Sequence, residues 1–125
     1  MKKLDKKYLL FTGLVLITIG FLTFAFMFND NGKYDSFAMC LKQKDIKMYG
    51  ASWCPHCQEQ KKMFESSQKY LNYVECSTID GTGQMDVCKN NQISSYPIWE
   101  LSNGTKLVGT YSFEKLSEIS GCVLD

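Results

Sequence analysis

Trp53-Cys54-Pro55-His56-Cys57 is the run on which the reading of this chain turns. It follows a brief strand candidate, Ile46 to Tyr49, and a small-residue link, Gly50-Ala51-Ser52. It opens a stretch from Pro55 to Tyr70 whose spacing is helical, with Cys57, Phe64 and Leu71 recurring on about one face. Two cysteines one helical turn apart hold their Cα atoms within the roughly 4.4 to 6.8 Å that a disulfide requires, so the bond can open and close without remodelling the fold. The first sulfur of such a pair meets unpaired backbone N–H groups and the positive end of the helix dipole, both of which stabilise a thiolate. Cys54 is therefore the expected nucleophile, exposed at the helix start. Cys57, one turn in and facing the core, is the expected resolving thiol. Pro55 suits the first helical turn, where a missing N–H costs nothing. His56 is placed to favour the Cys54 thiolate, which stabilises the reduced form and makes the disulfide the stronger oxidant.

Other uses of the same residues make different demands. An anchored metal-binding or delivery module built on Cys54, His56 and Cys57 would suit a soft ion such as copper(I) or zinc. However, the chain has a single His and no second C-x-x-C, and no metal or other cofactor is expected. An inert structural disulfide at the helix start is a further alternative. Covalent haem attachment would require His directly after the second cysteine, where Gln58 stands.

The chain has 125 residues, enough for one domain. Its N-terminus carries Lys2, Lys3, Lys6 and Lys7 against Asp5, followed by an uncharged run from Tyr8 to Phe28. About 20 apolar residues cross a bilayer, and flanking lysines stay in the cytoplasm. Residues 1–28 thus read as a basic stub and a single-pass signal-anchor, residues 29–35 as a polar tether, and residues 36–125 as a domain on the periplasmic or extracytoplasmic side. A cleavable signal peptide is the competing reading, with Thr23-Phe24-Ala25 as a loose cleavage pattern.

Four of the 14 basic residues and one of the 13 acidic ones lie in the first 28, leaving ten and twelve for the remainder. That near-neutral balance, with Lys as the sole basic type apart from one His, argues against nucleic acid as a partner. Six cysteines make disulfides the default fate in an oxidising compartment. Beyond the close pair, Cys40, Cys76, Cys88 and Cys122 are scattered, and four cysteines allow three pairings.

Around the motif, Ser36 to Asp45 reads as a short helix with Phe37, Cys40 and Leu41 on one face, and Tyr73 to Cys76 as a strand. Gln84 to Asn90 reads as a short helix. Pro97 to Ser102 and Thr105 to Thr110 flank Asn103-Gly104, the signature of a hairpin with a two-residue primed turn. Ser112 caps a last helix bearing Phe113, Leu116 and Ile119 that ends near Gly121.

Trp-Cys-Pro-His-Cys between a strand and a helix resembles the thioredoxin superfamily, and the inner Pro-His pair resembles its bacterial disulfide oxidases. Further blocks narrow the likeness: Phe37-Ala38-Met39-Cys40-Leu41, Met48-Tyr49-Gly50-Ala51, Cys57-Gln58-Glu59-Gln60-Lys61, Tyr73-Val74-Glu75-Cys76, Cys88, Tyr96-Pro97-Ile98-Trp99 and Gly121-Cys122. Together they resemble the thioredoxin-like domain that accompanies bacterial homologues of vitamin K epoxide reductase. The likeness covers roughly residues 34 to 122. It implies a compact α/β fold, a central mixed sheet flanked by helices. It also implies exchange of disulfides with exported cysteine-containing proteins, reoxidation by a quinone-linked membrane partner, and a cis-proline role for Pro97 opposite the dithiol.

The same likeness favours pairing Cys76 with Cys88, pinning the loop after a central strand, and Cys40 with Cys122, tying the first helix of the domain to the last. Trp53 and Tyr96 flank the dithiol as an expected apolar docking groove, with Trp99 in the core and Trp53 near the surface. One departure bears on mechanism. Many relatives carry a buried acid six residues before the nucleophile, whereas Met48 stands here, so proton management falls to His56, water or another group. The chain also lacks the extra first strand of full thioredoxin and a large helical insertion.

Overall fold

The computed structural model describes residues 6–27 and 32–124. Helix α1 (Lys6–Met27) contains a stretch, Lys7–Phe24, that is long and apolar enough to cross a membrane. Thr12, Thr18 and Thr23 turn their hydroxyls back onto carbonyls three or four residues earlier, so these polar groups are satisfied within the helix. Lys2, Lys3 and residues 29–31 of the expected tether lie outside the described residues. The chain divides into two compact units, the second beginning at Gly32.

That second unit runs α2 (Asp35–Gln43), β1 (Lys47–Gly50), α3 (Pro55–Met63), a 3-10 segment (Glu65–Tyr70), β2 (Asn72–Glu75), α4 (Asp86–Asn90), β3 (Ile98–Glu100), β4 (Lys106–Val108) and α5 (Phe113–Ser120). The four strands form one mixed sheet in the order β2-β1-β3-β4. β1 and β2 are parallel, which requires the crossover that α3 supplies, while β1–β3 and β3–β4 are antiparallel. This is the expected α/β architecture, with one correction: β2, read as a central strand, is at the sheet edge.

Alternation along the strands sorts side chains between two faces. Met48 and Trp99 face one side with Phe37 and Leu41 of α2, Cys57 of α3, Phe64 and Leu116 of α5, forming the larger core. Tyr49 and Ile98 face the other, with Cys76, Cys88 and Ile93. The larger core is aromatic: Phe64 lies 4.8 Å from Phe113, 6.1 Å from Phe37 and 6.5 Å from Trp99, centroid to centroid.

Three local expectations are corrected. The helix read from Pro55 to Tyr70 stops at Met63, because Glu65 adopts a left-handed φ of 51° and the chain re-enters as a 3-10 segment. The break leaves Phe64 wholly buried among those rings. It also buries Ser67, whose hydroxyl accepts from the Tyr34 N–H at 3.1 Å. The hairpin forms, but not through a two-residue primed turn. Gly104 alone has positive φ, at 82°, and Asn103 does not join it. The Gly104 N–H donates to the Leu101 carbonyl at 2.8 Å and the Leu101 N–H to the Thr105 carbonyl at 2.9 Å, giving a three-residue loop with glycine in the left-handed position. Asn103 instead accepts from the Thr105 N–H through its side chain at 3.0 Å. The short helix read from Gln84 begins two residues later, at Asp86. At the end of α5, the Ser112 side chain accepts from the Lys115 N–H, and Gly121 closes the helix at a φ of 64°.

Candidate active site: a dithiol at a helix start

Cys54 is the residue at which extended chain becomes helix, with φ −76° and ψ 118°, and Pro55 occupies the first turn. Its N–H donates to the Ala51 carbonyl at 3.0 Å, and its own carbonyl accepts from the Gln58 N–H at 3.1 Å. Gln58 also donates to the Ser52 carbonyl at 2.7 Å, tying the helix to the loop before it. Cys54 and Cys57 are both free thiols. The reading of Cys54 as exposed is corrected: only 5% of its surface is open, because the loop carrying Tyr96 closes over it. Its sulfur lies 3.8 Å from the Tyr96 carbonyl.

The Tyr96–Pro97 peptide bond is cis. Pro97 is buried, and its carbonyl accepts from the Gly109 N–H at 2.9 Å. A shallow groove beside the dithiol is lined by His56, Glu59, Tyr96, Pro97, Gly109 and Thr110. The imidazole of His56 is largely in solvent, and its Nδ1 faces the Glu59 carboxylate at 3.8 Å. Trp53 is 58% exposed and stands edge-on to Tyr96 at 6.0 Å, with its indole N–H donating to the Ser77 hydroxyl at 3.0 Å. Tyr96 is in turn fixed by Gln84, which donates to its hydroxyl at 2.7 Å.

Cys57 is wholly buried. Burial first, then its hydrogen bond with Cys54, pushes its thiol up to about 12, against opposing contributions from the Ala51 backbone and the Lys61 ammonium. The remaining cysteines form two disulfides. Cys40 within α2 is bonded to Cys122 after α5, with Cα atoms 5.9 Å apart, and Cys76 after β2 is bonded to Cys88 in α4 at 5.6 Å. Among the described residues, no three of His, Cys, Asp and Glu gather as a metal centre would require.

Sequence reasoning missed three side chains that hold the active-site helix and loop in place or line their surroundings. Gln60, in the second turn of α3, is fully buried and bonds to the backbone of Tyr111, next to the groove. Tyr73 and Glu75 on β2 lie across Gly50 from Cys57. Alternation places Tyr73 and Glu75 on the face of Met48, but the distance of β2 from the motif in sequence hid the contact.

A strand leading to a helix-start dithiol, faced by a cis-proline loop, is the arrangement of a thioredoxin-family site. The thioredoxin family model matches residues 27–120, and the chain belongs to this family. Over 83 residues it is 42% identical to the thiol-disulfide oxidoreductase LTO1 of Arabidopsis thaliana, an alignment that takes in 63% of this chain and 22% of that protein. The chain thus spans about a fifth of that relative's length.

Proposed function

We propose that this chain is a membrane-anchored thiol–disulfide oxidoreductase acting on exported cysteine-containing proteins and reoxidised by a quinone-linked membrane partner resembling vitamin K epoxide reductase. One observation carries the reading. Four of the six cysteines are committed to two disulfides, and the remaining pair stands at a helix start beside the Tyr96–Pro97 loop. A client thiolate attacks the Cys54 sulfur of the Cys54–Cys57 disulfide, releasing Cys57 and forming a mixed disulfide. The client's second thiolate then attacks its own bonded sulfur and releases Cys54, so the client is oxidised and the dithiol reduced. Run in reverse, the same steps reduce a client: Cys54 attacks and Cys57 resolves.

The oxidising direction is supported by the helix start and the Pro-His pair, both of which favour the reduced form. Placement outside the cytoplasm is supported by the lysines that precede the apolar helix. The Arabidopsis relative, a thiol-disulfide oxidoreductase, agrees with thiol–disulfide exchange. The partner assignment rests on the sequence blocks from Phe37 to Cys122.

Equilibration of the full chain with glutathione buffers tests the direction: a potential well above that of cytosolic thioredoxin, about −270 mV, is expected, and one near that value would overturn the oxidant reading. Thiol-state trapping in cells with and without the quinone-linked partner tests the reoxidation route. Accumulation of the reduced dithiol when the partner is absent is expected, and an unchanged redox state would remove the partner from the scheme.

A further inference from the structure

Resolution by Cys57 requires a thiol with no surface open to water to lose its proton. His56, the sequence candidate for that work, points to solvent and Glu59. Met48, the β1 side chain paired with Tyr73, is buried in the core and carries no proton acceptor.

The space beside Cys57 is kept open by Gly50. A Cβ at that position would meet the Cys57 sulfur at 2.9 Å and the Tyr73 hydroxyl at 3.0 Å, so sulfur and hydroxyl lie no more than about 6 Å apart, a span that one water molecule bridges. The Tyr73 hydroxyl donates to the Glu75 carboxylate at 3.1 Å. The other oxygen of Glu75 accepts from the Ser52 N–H at 3.0 Å and the Ser77 N–H at 2.9 Å, which fixes the carboxylate between the active-site loop and the end of β2. Lys61 of α3 places its ammonium 4.3 Å from the centre of the Tyr73 ring. Glu75 is partly exposed, so it touches both the buried side and the solvent.

We propose that Glu75, acting through Tyr73, is the proton acceptor for Cys57, taking over from β2 the work that Met48 cannot do from β1. The inference rests on the thiol-exchange reading above. In the resolving step the Cys57 thiol gives its proton towards the Tyr73 hydroxyl, and Tyr73 passes its own to the Glu75 carboxylate. The Cys57 thiolate attacks the Cys54 sulfur, the bond from Cys54 to the client sulfur breaks, and the client leaves as a thiolate. Glu75 returns its proton to water. When Cys57 is instead the leaving group, the same path runs backwards and reprotonates it. Burial first, then Glu75, pushes the Tyr73 phenol well above its ordinary range, so Tyr73 conducts as a neutral hydroxyl and does not store charge. The titratable and charged groups facing this path are Cys54 and Lys61 beside Cys57, and Glu75 with both cysteines beside Tyr73.

Rapid mixing of the reduced full chain, in detergent micelles, with excess glutathione disulfide separates the two steps. Acid quenching and mass spectrometry then follow the glutathione adduct on Cys54. Its formation depends on glutathione disulfide concentration, and its loss, with release of glutathione, is the resolving step. Glu75→Gln keeps the oxygen that accepts from Ser52 and Ser77, and Tyr73→Phe keeps the ring. Both variants should slow adduct loss about tenfold or more at pH 7 and move its pH profile upward, while adduct formation keeps the wild-type rate. Unchanged adduct loss in both variants would overturn the inference, and so would equal slowing of both steps, which marks a structural role. A wild-type chain that forms no adduct would overturn the thiol-exchange reading and this inference with it.

Discussion

The side-chain amide of Gln60 pairs with the backbone of Tyr111 across 51 residues of sequence: the Tyr111 N–H donates to Oε1 at 2.7 Å, and Nε2 donates to the Tyr111 carbonyl at 3.1 Å. A side chain here does what a neighbouring strand would do, in a wholly buried position. Gln60→Leu should leave both backbone groups of Tyr111 without these partners and cost about 1 to 3 kcal/mol, read as a lowered urea midpoint. A midpoint within error of wild type would show that Tyr111 finds other partners.

The two thiols should differ in access to partners. Cys57→Ser should leave Cys54 joined to client proteins, whereas Cys54→Ser should trap few or none, because the remaining thiol is wholly buried. Non-reducing gels of cells carrying each variant would show the asymmetry. Equal trapping by both variants would reverse the assigned roles.

Stability of the reduced form should fall at alkaline pH. In the folded chain the Cys57 thiol holds its proton up to about 12, against 9.0 for the ordinary group. Between those values the unfolded state binds fewer protons than the folded one, so the contribution is complete below about pH 9 and is lost as the pH rises towards 12. Tyr73, also raised, adds in the same direction above its ordinary 10.0. Thermal melts of the reduced wild type and of Cys57→Ala should therefore converge between pH 8 and pH 10.5. A constant gap would count against the burial account.

The disulfides should contribute unequally. Cys40–Cys122 closes a separation of 82 residues and Cys76–Cys88 one of 12. Chain entropy assigns about 4.5 kcal/mol to the first and about 3 to the second. Paired Cys→Ser variants compared by denaturant unfolding should follow that order, and the reverse order would mean that packing of the buried Cys76 and Cys88 outweighs loop closure.

Features set by residues close in sequence were legible. Cys54-Pro55-His56-Cys57 located the helix start, Ser112 and Gly121 bounded the last helix, and Asn103-Gly104 marked a hairpin. Features set by packing were not. The helical spacing of Cys57, Phe64 and Leu71 did mark buried positions, but it could not show that the helix ends at Met63, since the left-handed turn at Glu65 serves contacts with Phe37, Trp99 and Phe113. Gln60 reads as one more polar residue in a polar stretch until Tyr111 is seen beside it. Cys54 reads as exposed because its cover comes from Tyr96, 42 residues away.

The Cys40–Cys122 bond also decides how the domain would carry a mechanical load. Tension between the N-terminal side of Cys40 and a load applied beyond Cys122 would pass through the sulfur bridge and bypass the 81 residues between them. The sheet, the dithiol and the Pro97 loop all lie inside that closed ring. Pulling on the ends would unwind the start of α2 up to Cys40 and leave the dithiol unloaded, so thiol exchange at Cys54 would proceed on a rigid bead.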